Sequence, residues 1–452
     1  MKKRLLIALP FILALGFTYP GNDGPVHIPA NEQSTGDPQK GYEYLTTGDF
    51  LKSGLPYAAF VMNNGKDKDN LLQRTGKNAT VGHGYNVIDR NGIEMVIPTC
   101  LQCHATEFEG KLVIGLGNTS LDFSNTSKTD FSGRINMLRT MAPKQYEAAA
   151  PFLTAFATTY PYMETEVRGV NTADRLAAIL AAHRNPKTLQ WSDTPLLAIP
   201  AEVIPTDVPA WWLMKKKNAM FYTGFGRGDF SKFLMLSNLL TVADTAEARE
   251  VSTHFNDVLA YIYTLEAPRY PHEIDRKKAK NGRTLFNENC SGCHGTYGKD
   301  GSYPNLLIPA SVVQTDSMLC GEIMRNRQFI DWFNSSWFVQ GGNPAQLTPY
   351  NGYIAPPLDG VWATAPYMHN GSVPTIEAML NSKIRPTYWS RDFKNPEYNY
   401  VSPGWKFKQH QEPERRKVYN TTLPGYGNHG HYFGDALTQG EREAVIEYLK
   451  TL

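Results

Sequence analysis

CLQCH at residues 100–104 and CSGCH at residues 290–294 are two copies of one pentapeptide, and together they use four of the chain's five cysteines. Three chemistries compete for such a pattern. A zinc ribbon would take both cysteine pairs as its four ligands and leave His104 and His294 without a task. A redox dithiol needs one pair only, beside a strand–helix unit. Covalent attachment of c-type haem uses every residue of the motif. Two thiols three positions apart reach the two vinyl groups on one porphyrin edge, and the adjacent histidine lies under the iron as its axial ligand. We therefore read Cys100, Cys103 and His104 as one haem site and Cys290, Cys293 and His294 as a second. Two covalently bound c-type haems, each with its iron, follow. Cys320 is left over and reads as a buried apolar thiol.

Around the second motif the pattern is helical. Gly282, Phe286 and Cys290 fall at four-residue steps, on one face of a helix leading into the motif. The chain ends in LTQGEREAVIEYLKTL, where Thr438 and Glu441 form a capping box and Val445, Ile446, Leu449 and Leu452 an apolar stripe. One helix before the haem and one at the terminus describe a small all-helical cytochrome c. The first half echoes this. VLAYIYTL at 258–265 matches VIEYLKTL at 445–452 at four of eight positions, 158 and 155 residues after the first cysteine of the preceding motif. The echo is imperfect. YNVIDRNGIEMVIPT, just before Cys100, reads as a β-hairpin turning at Asn91-Gly92. A further amphipathic helix is expected near 172–184.

The expected fold is mainly α: two cytochrome c-like haem domains with long loops and a few short β-hairpins. The expected order is a signal peptide at 1–17, a flexible leader at 18–40, an N-terminal haem domain at 41–265, a linker at 266–275 and a C-terminal cytochrome c domain at 276–452. The signal peptide rests on basic Met1–Arg4, the apolar run Leu5–Phe17 and a small-x-small site at Ala14–Gly16. It implies a periplasmic or secreted protein. No apolar run reaches the roughly 18 residues of a membrane span, so no stable span is expected in the mature chain. A net charge of +2 excludes a strongly basic nucleic-acid binder.

The two irons differ in their sixth ligands. The loop before the last helix, GNHGHYFGD, offers His431 first and His429 second, with Met368 and His369 of PYMHNG as rivals. A bis-His iron is six-coordinate and suits electron transfer. In the first half the repeat puts Asp244 where the second has His431, and Met235 is the nearest candidate upstream. The first iron is thus expected to be open or weakly held. The nearby stretch VPAWWLMKKKNAMFYTGFGRGDF, 208–230, carries Trp211 and Trp212. Its aromatics suit an apolar pocket or a path for electrons, or simple packing about a macrocycle. Lys215 to Lys217 read as partners of haem propionates or as a solvated basic patch.

At PPLDGVWATAPYMHNGSVP, 356–374, the chain resembles the bacterial dihaem cytochrome c superfamily: the dihaem peroxidases, the methylamine dehydrogenase maturation enzymes and the rubber oxygenases. NCSGCHGTYG, Trp362 to Pro374 and the terminal GHYFG are closest to the rubber-oxygenase-like branch. The resemblance implies a reactive amino-terminal haem open to dioxygen or peroxide, and a carboxy-terminal bis-His haem with His431 as its distal ligand. It implies that Trp211 borders the reactive haem as the catalytic aromatic, and that His369 belongs to a P-Y-x-H motif. The Met or Tyr ligand pattern of the peroxidases downstream of that motif is absent, which weighs against peroxidase activity. Polymer cleavage does not follow from membership. The function expected is a haem oxidoreductase, oxygenase-like or peroxidase-like, using O2 or peroxide at the first haem with the second as electron relay. The alternative is a pure periplasmic electron-transfer cytochrome. Small redox proteins are the expected partners in either case.

Overall fold

Two pairs of crossed helices organise the chain. The computed structural model describes residues 24–127 and 130–452; the expected signal peptide lies outside them. In the second half, helix Arg276–Asn289 packs across helix Gln439–Leu449. Asp275 caps the first through the Lys277 and Lys278 amides, and Thr438 and Glu441 form the expected capping box on the second. The crossing is tight because Gly282 sits on it. A methyl there would run into the Ala444 carbonyl. Phe286, Val445 and Leu449 fill the contact and are buried.

The first half repeats the device. Helix Pro38–Thr47, capped by Asp37, packs across helix Thr245–Thr264, capped by Asp244. Gly41 sits at this crossing, where a methyl would strike the Asp257 carbonyl. Leu45 lies four residues beyond Gly41, as Phe286 lies four beyond Gly282, and Val258 matches Val445; all four are buried. The pre-haem helix of the first half is therefore present but displaced upstream. The segment between it and Cys100 holds the predicted hairpin, Tyr85–Arg90 paired antiparallel with Ile93–Pro98. Asn91 and Gly92 both take positive φ at its turn, 55° and 80°, as a two-residue hairpin requires. The predicted helix near 172–184 is Ala173–Ala182.

Three expectations need correction. Residues 38–40, assigned to a leader, begin the first helix. Upstream, Val26–His27 pairs antiparallel with Leu306–Pro309, and Ile28 is buried, so this part of the expected flexible leader is docked. Its apolar side chains are burial sites on a sheet edge that the second half supplies. Asp244 is not the counterpart of His431. It caps the first-half helix, which is 20 residues long against 11 in the second; with the two helices in register at Val258 and Val445, the longer one begins earlier and takes up the stretch that is a loop around His431.

The two halves share their core. Gly226–Gly228 pairs with Ala345–Leu347. Phe233 stacks on Phe333 at 5.4 Å, and the Trp332 indole donates to the Arg184 carbonyl at 2.7 Å. Residues 306–353 of the second half thus pack on the first. The expected boundary separates the helix pairs but not the cores. No described helix is long and apolar enough to cross a membrane.

Candidate functional site

A cavity of about 1600 Å³ runs through the shared interior. It is lined both by Cys100, Cys103 and His104 and by Cys290, His294 and His431. Ordinary ligand pockets span roughly 300–1,000 Å³, so the space suits more than one small cofactor. Among the described residues no three His, Cys, Asp or Glu converge as metal ligands. The two cysteine pairs therefore do not form a zinc ribbon. The thiols are free, and burial pushes Cys100 up to about 12 and Cys103 and Cys290 up to about 11. Redox dithiols are instead held low.

At the second site, helix Arg276–Asn289 delivers Cys290, and a single turn, Ser291–His294, carries the rest of the motif. The His294 Nδ1 lies 2.8 Å from the Pro356 carbonyl. Donation there leaves Nε2 as a bare lone pair facing the cavity. The rings of His294 and His431 stand 6.1 Å apart. Two imidazoles on opposite faces of one iron, with metal–nitrogen bonds of about 2 Å, have ring centres roughly 6 Å apart. Burial pushes the His431 imidazole down to about 3, helped by neighbouring His294 and Arg385. It is therefore neutral at ordinary pH, the state in which it can ligate. The residues fit a bis-His haem.

His431 is held by its loop. It takes the left-handed conformation at φ 49° and donates its backbone N–H to the Val313 carbonyl at 2.7 Å. The Arg385 guanidinium donates to the carbonyls of Asn428 and Gly430, both at 2.7 Å, and of His431 at 3.3 Å. Arg385 is a positioning residue that sequence reasoning missed. An arginine 46 positions away carries no local signal. Of the rivals, His429 does not line the cavity. His369 does, but its Nε2 meets the Tyr353 hydroxyl at 3.3 Å and its ring stacks on Tyr353 at 4.3 Å. Met368 lines the cavity and accepts from the Ser372 hydroxyl.

At the first site, the short hairpin Ala105–Phe108 and Lys111–Ile114 follows His104. Gly115 donates to the His104 carbonyl at 2.8 Å, and Trp211 donates to the Gly115 carbonyl at 2.9 Å. This chain lays Trp211 flat on the His104 ring, with centroids 4.5 Å apart and planes 17° apart. A proximal imidazole stands upright on the porphyrin, so a ring stacked face to face with it lies on the same side of the haem. Trp211 therefore flanks His104 rather than the face opposite it. That revises its expected place. Burial pushes His104 down to about 3 against the pull of the Pro209 carbonyl. Among the described residues the ring contact of His104 is with Trp211, and no second imidazole makes one with it. Met235 is buried in the core and does not line the cavity, while Met214 and Met220 do. Cys320 is buried, its thiol near the Ser317 carbonyl, as expected of an inert thiol.

Two family models match the second half: cytochrome c over residues 279–318, and a RoxA-like, cytochrome c-like domain over residues 352–390. These matches give the second half cytochrome c domains, which imply covalent haem c and support electron transfer. Two curated relatives from Sinorhizobium fredii are similar to the chain. The uncharacterized protein y4iJ is 41% identical over 257 residues, 42% of this chain and 41% of that protein. The uncharacterized protein y4iM is 27% identical over 296 residues, 56% of this chain and 66% of that protein. The chain thus spans less than half the length of the first and 66% of the second.

Proposed function

We propose that this chain is an exported dihaem oxidoreductase that uses O2 or peroxide at the haem of Cys100, Cys103 and His104. The haem of Cys290, Cys293 and His294, closed by His431, relays electrons to or from a small redox protein. The observation that carries the reading is the asymmetry between the two motifs. His294 has an imidazole across from it at 6.1 Å, whereas among the described residues His104 has an indole beside it and no second imidazole in ring contact. Bound haem supplies an iron that exchanges electrons and, where a face is free, binds a small oxidant. The chain's own residues do the rest. His104 and His294 bind, His431 closes one site, and the apolar walls Phe225, Phe233 and Met220 exclude water from the cavity. Trp211 and Trp212 touch segments of both sites. Trp211 stacks on His104, and the Trp212 indole donates to the Asp359 carbonyl at 2.8 Å. They suit electron passage from one haem to the other.

The test is CO binding counted per haem in the reduced protein, with EPR of the oxidised form. One CO per chain and one high-spin haem are expected. No CO at either iron would favour the electron carrier, with Met214 or Met220 as sixth ligand. CO at both would overturn the role given to His431.

A further inference from the structure

Lys215, Lys216 and Lys217 are consecutive, but their surroundings differ. Lys215 pairs with Glu266 at 2.5 Å, and Lys216 with Asp359 at 2.7 Å. Lys217 lines the cavity, and among the described residues no hydrogen bond or ion pair involves its ammonium. The surrounding protein pushes it down to about 8 by burial, with no charged neighbour in opposition. Its position in the fold is narrow. The turn Trp211–Lys216 begins on the His104 ring and ends where Lys216 lies over the Tyr297 ring, three residues past His294. Asn305 then holds the backbone on both sides of Lys217, accepting from the Asn218 amide at 2.7 Å and donating to the Lys216 carbonyl at 3.0 Å. The segment is fixed between the two haem sites, and its third cation faces the space the haems would fill.

Lys217 is half-buried and faces the cavity, and a cation shut in there without a partner is costly unless an anion meets it. Haem brings two carboxylates, its propionates, on the porphyrin edge away from the thioether attachments. We propose that the Lys217 ammonium is the counter-ion of a haem propionate between the two centres, a cofactor-binding residue that anchors that edge and raises the potential of the haem it pairs with. The inference requires the covalent haems. It does not require the first to be reactive, so the CO experiment can fail without touching it.

The test uses the holoprotein with Lys217→Met, Lys217→Gln and Lys217→Arg. Spectroelectrochemical titration gives the two haem potentials, resonance Raman the propionate-bending bands, and a pyridine haemochrome the haem count. Lys217→Met should lower one haem's potential and move its propionate band with two haems retained. Lys217→Arg should leave both close to the wild-type values. If Lys217→Met does not mature, Lys217→Gln keeps a donor without the charge and should show the same two shifts. Propionate bands unchanged in the neutral variants would overturn the pairing, whatever the potentials do. A new high-spin haem in them would overturn it too, because Lys217 would then be an axial ligand.

Discussion

At residue 431 one imidazole stands 6.1 Å from the His294 ring, and the proposed function makes it the second iron's distal ligand. His431→Met should raise the potential of that haem, because a thioether stabilises ferrous iron relative to a second imidazole. Potentiometric titration resolving the two haems checks this, and an unchanged potential would move the ligand to another residue. The residue behind it is Arg385, whose guanidinium also donates to the Ala378 and Met379 carbonyls. Arg385→Gln removes charged donors from buried carbonyls, at a cost of about 3 kcal/mol. It should release the 428–431 loop, so that part of the second haem turns high-spin in EPR while the haem count stays at the wild-type value. A merely structural arginine would lower stability without that spectral change.

Between elements, the fold depends on two glycines where helices cross. Gly282→Ala and Gly41→Ala each set a methyl against a backbone carbonyl that cannot step aside. Overpacking of this kind costs about 1–3 kcal/mol. Gly133 is the control. It lies in helix Ser132–Met141 with open space around its Cα. There alanine should be neutral or stabilising by up to about 1 kcal/mol. Thermal or denaturant unfolding of the three variants checks the ranking. Equal effects at the three positions would mean that the crossings are looser than they stand here.

Across the whole molecule, the halves are joined by strands, by a common core and by charge. Glu164 of the first half accepts from Ser127 and pairs with Arg415 at 2.9 Å and Arg416 at 3.1 Å of the second. Burial alone would raise its carboxyl. The Ser127 hydrogen bonds and the two arginines outweigh that and hold it down at about 2. A carboxylate held low in the folded state stabilises it above the ordinary value of 4.5. That contribution falls away as the pH drops from there toward 2. Glu164→Gln should therefore unfold more easily than wild type at pH 6, by roughly 1 kcal/mol. The gap should close through the acid window. A gap independent of pH would show that the ion pairs contribute nothing.

The local chemistry was legible in the chain itself. The two C-x-x-C-H motifs, the Thr438 capping box, the Asn91-Gly92 turn and the helix near 172–184 all rest on contacts within a few residues, which spacing records directly. His431 could be singled out as a candidate because it lies one loop before a capped helix. What escaped had partners far away in the sequence. The displaced helix Pro38–Thr47 was hidden because the hairpin insertion broke its adjacency to Cys100. The docking of Val26–His27, the grip of Arg385 on the His431 loop and the shared core of residues 306–353 depend on pairings dozens to hundreds of residues apart. The side of the haem on which Trp211 lies was another such matter. It turns on two backbone hydrogen bonds through Gly115, and a sequence names the ring but not the face it covers. Spacing determines which groups can bind a macrocycle. Only the packed chain decides which of them face one another across it, because that choice is made by long-range burial and backbone closure.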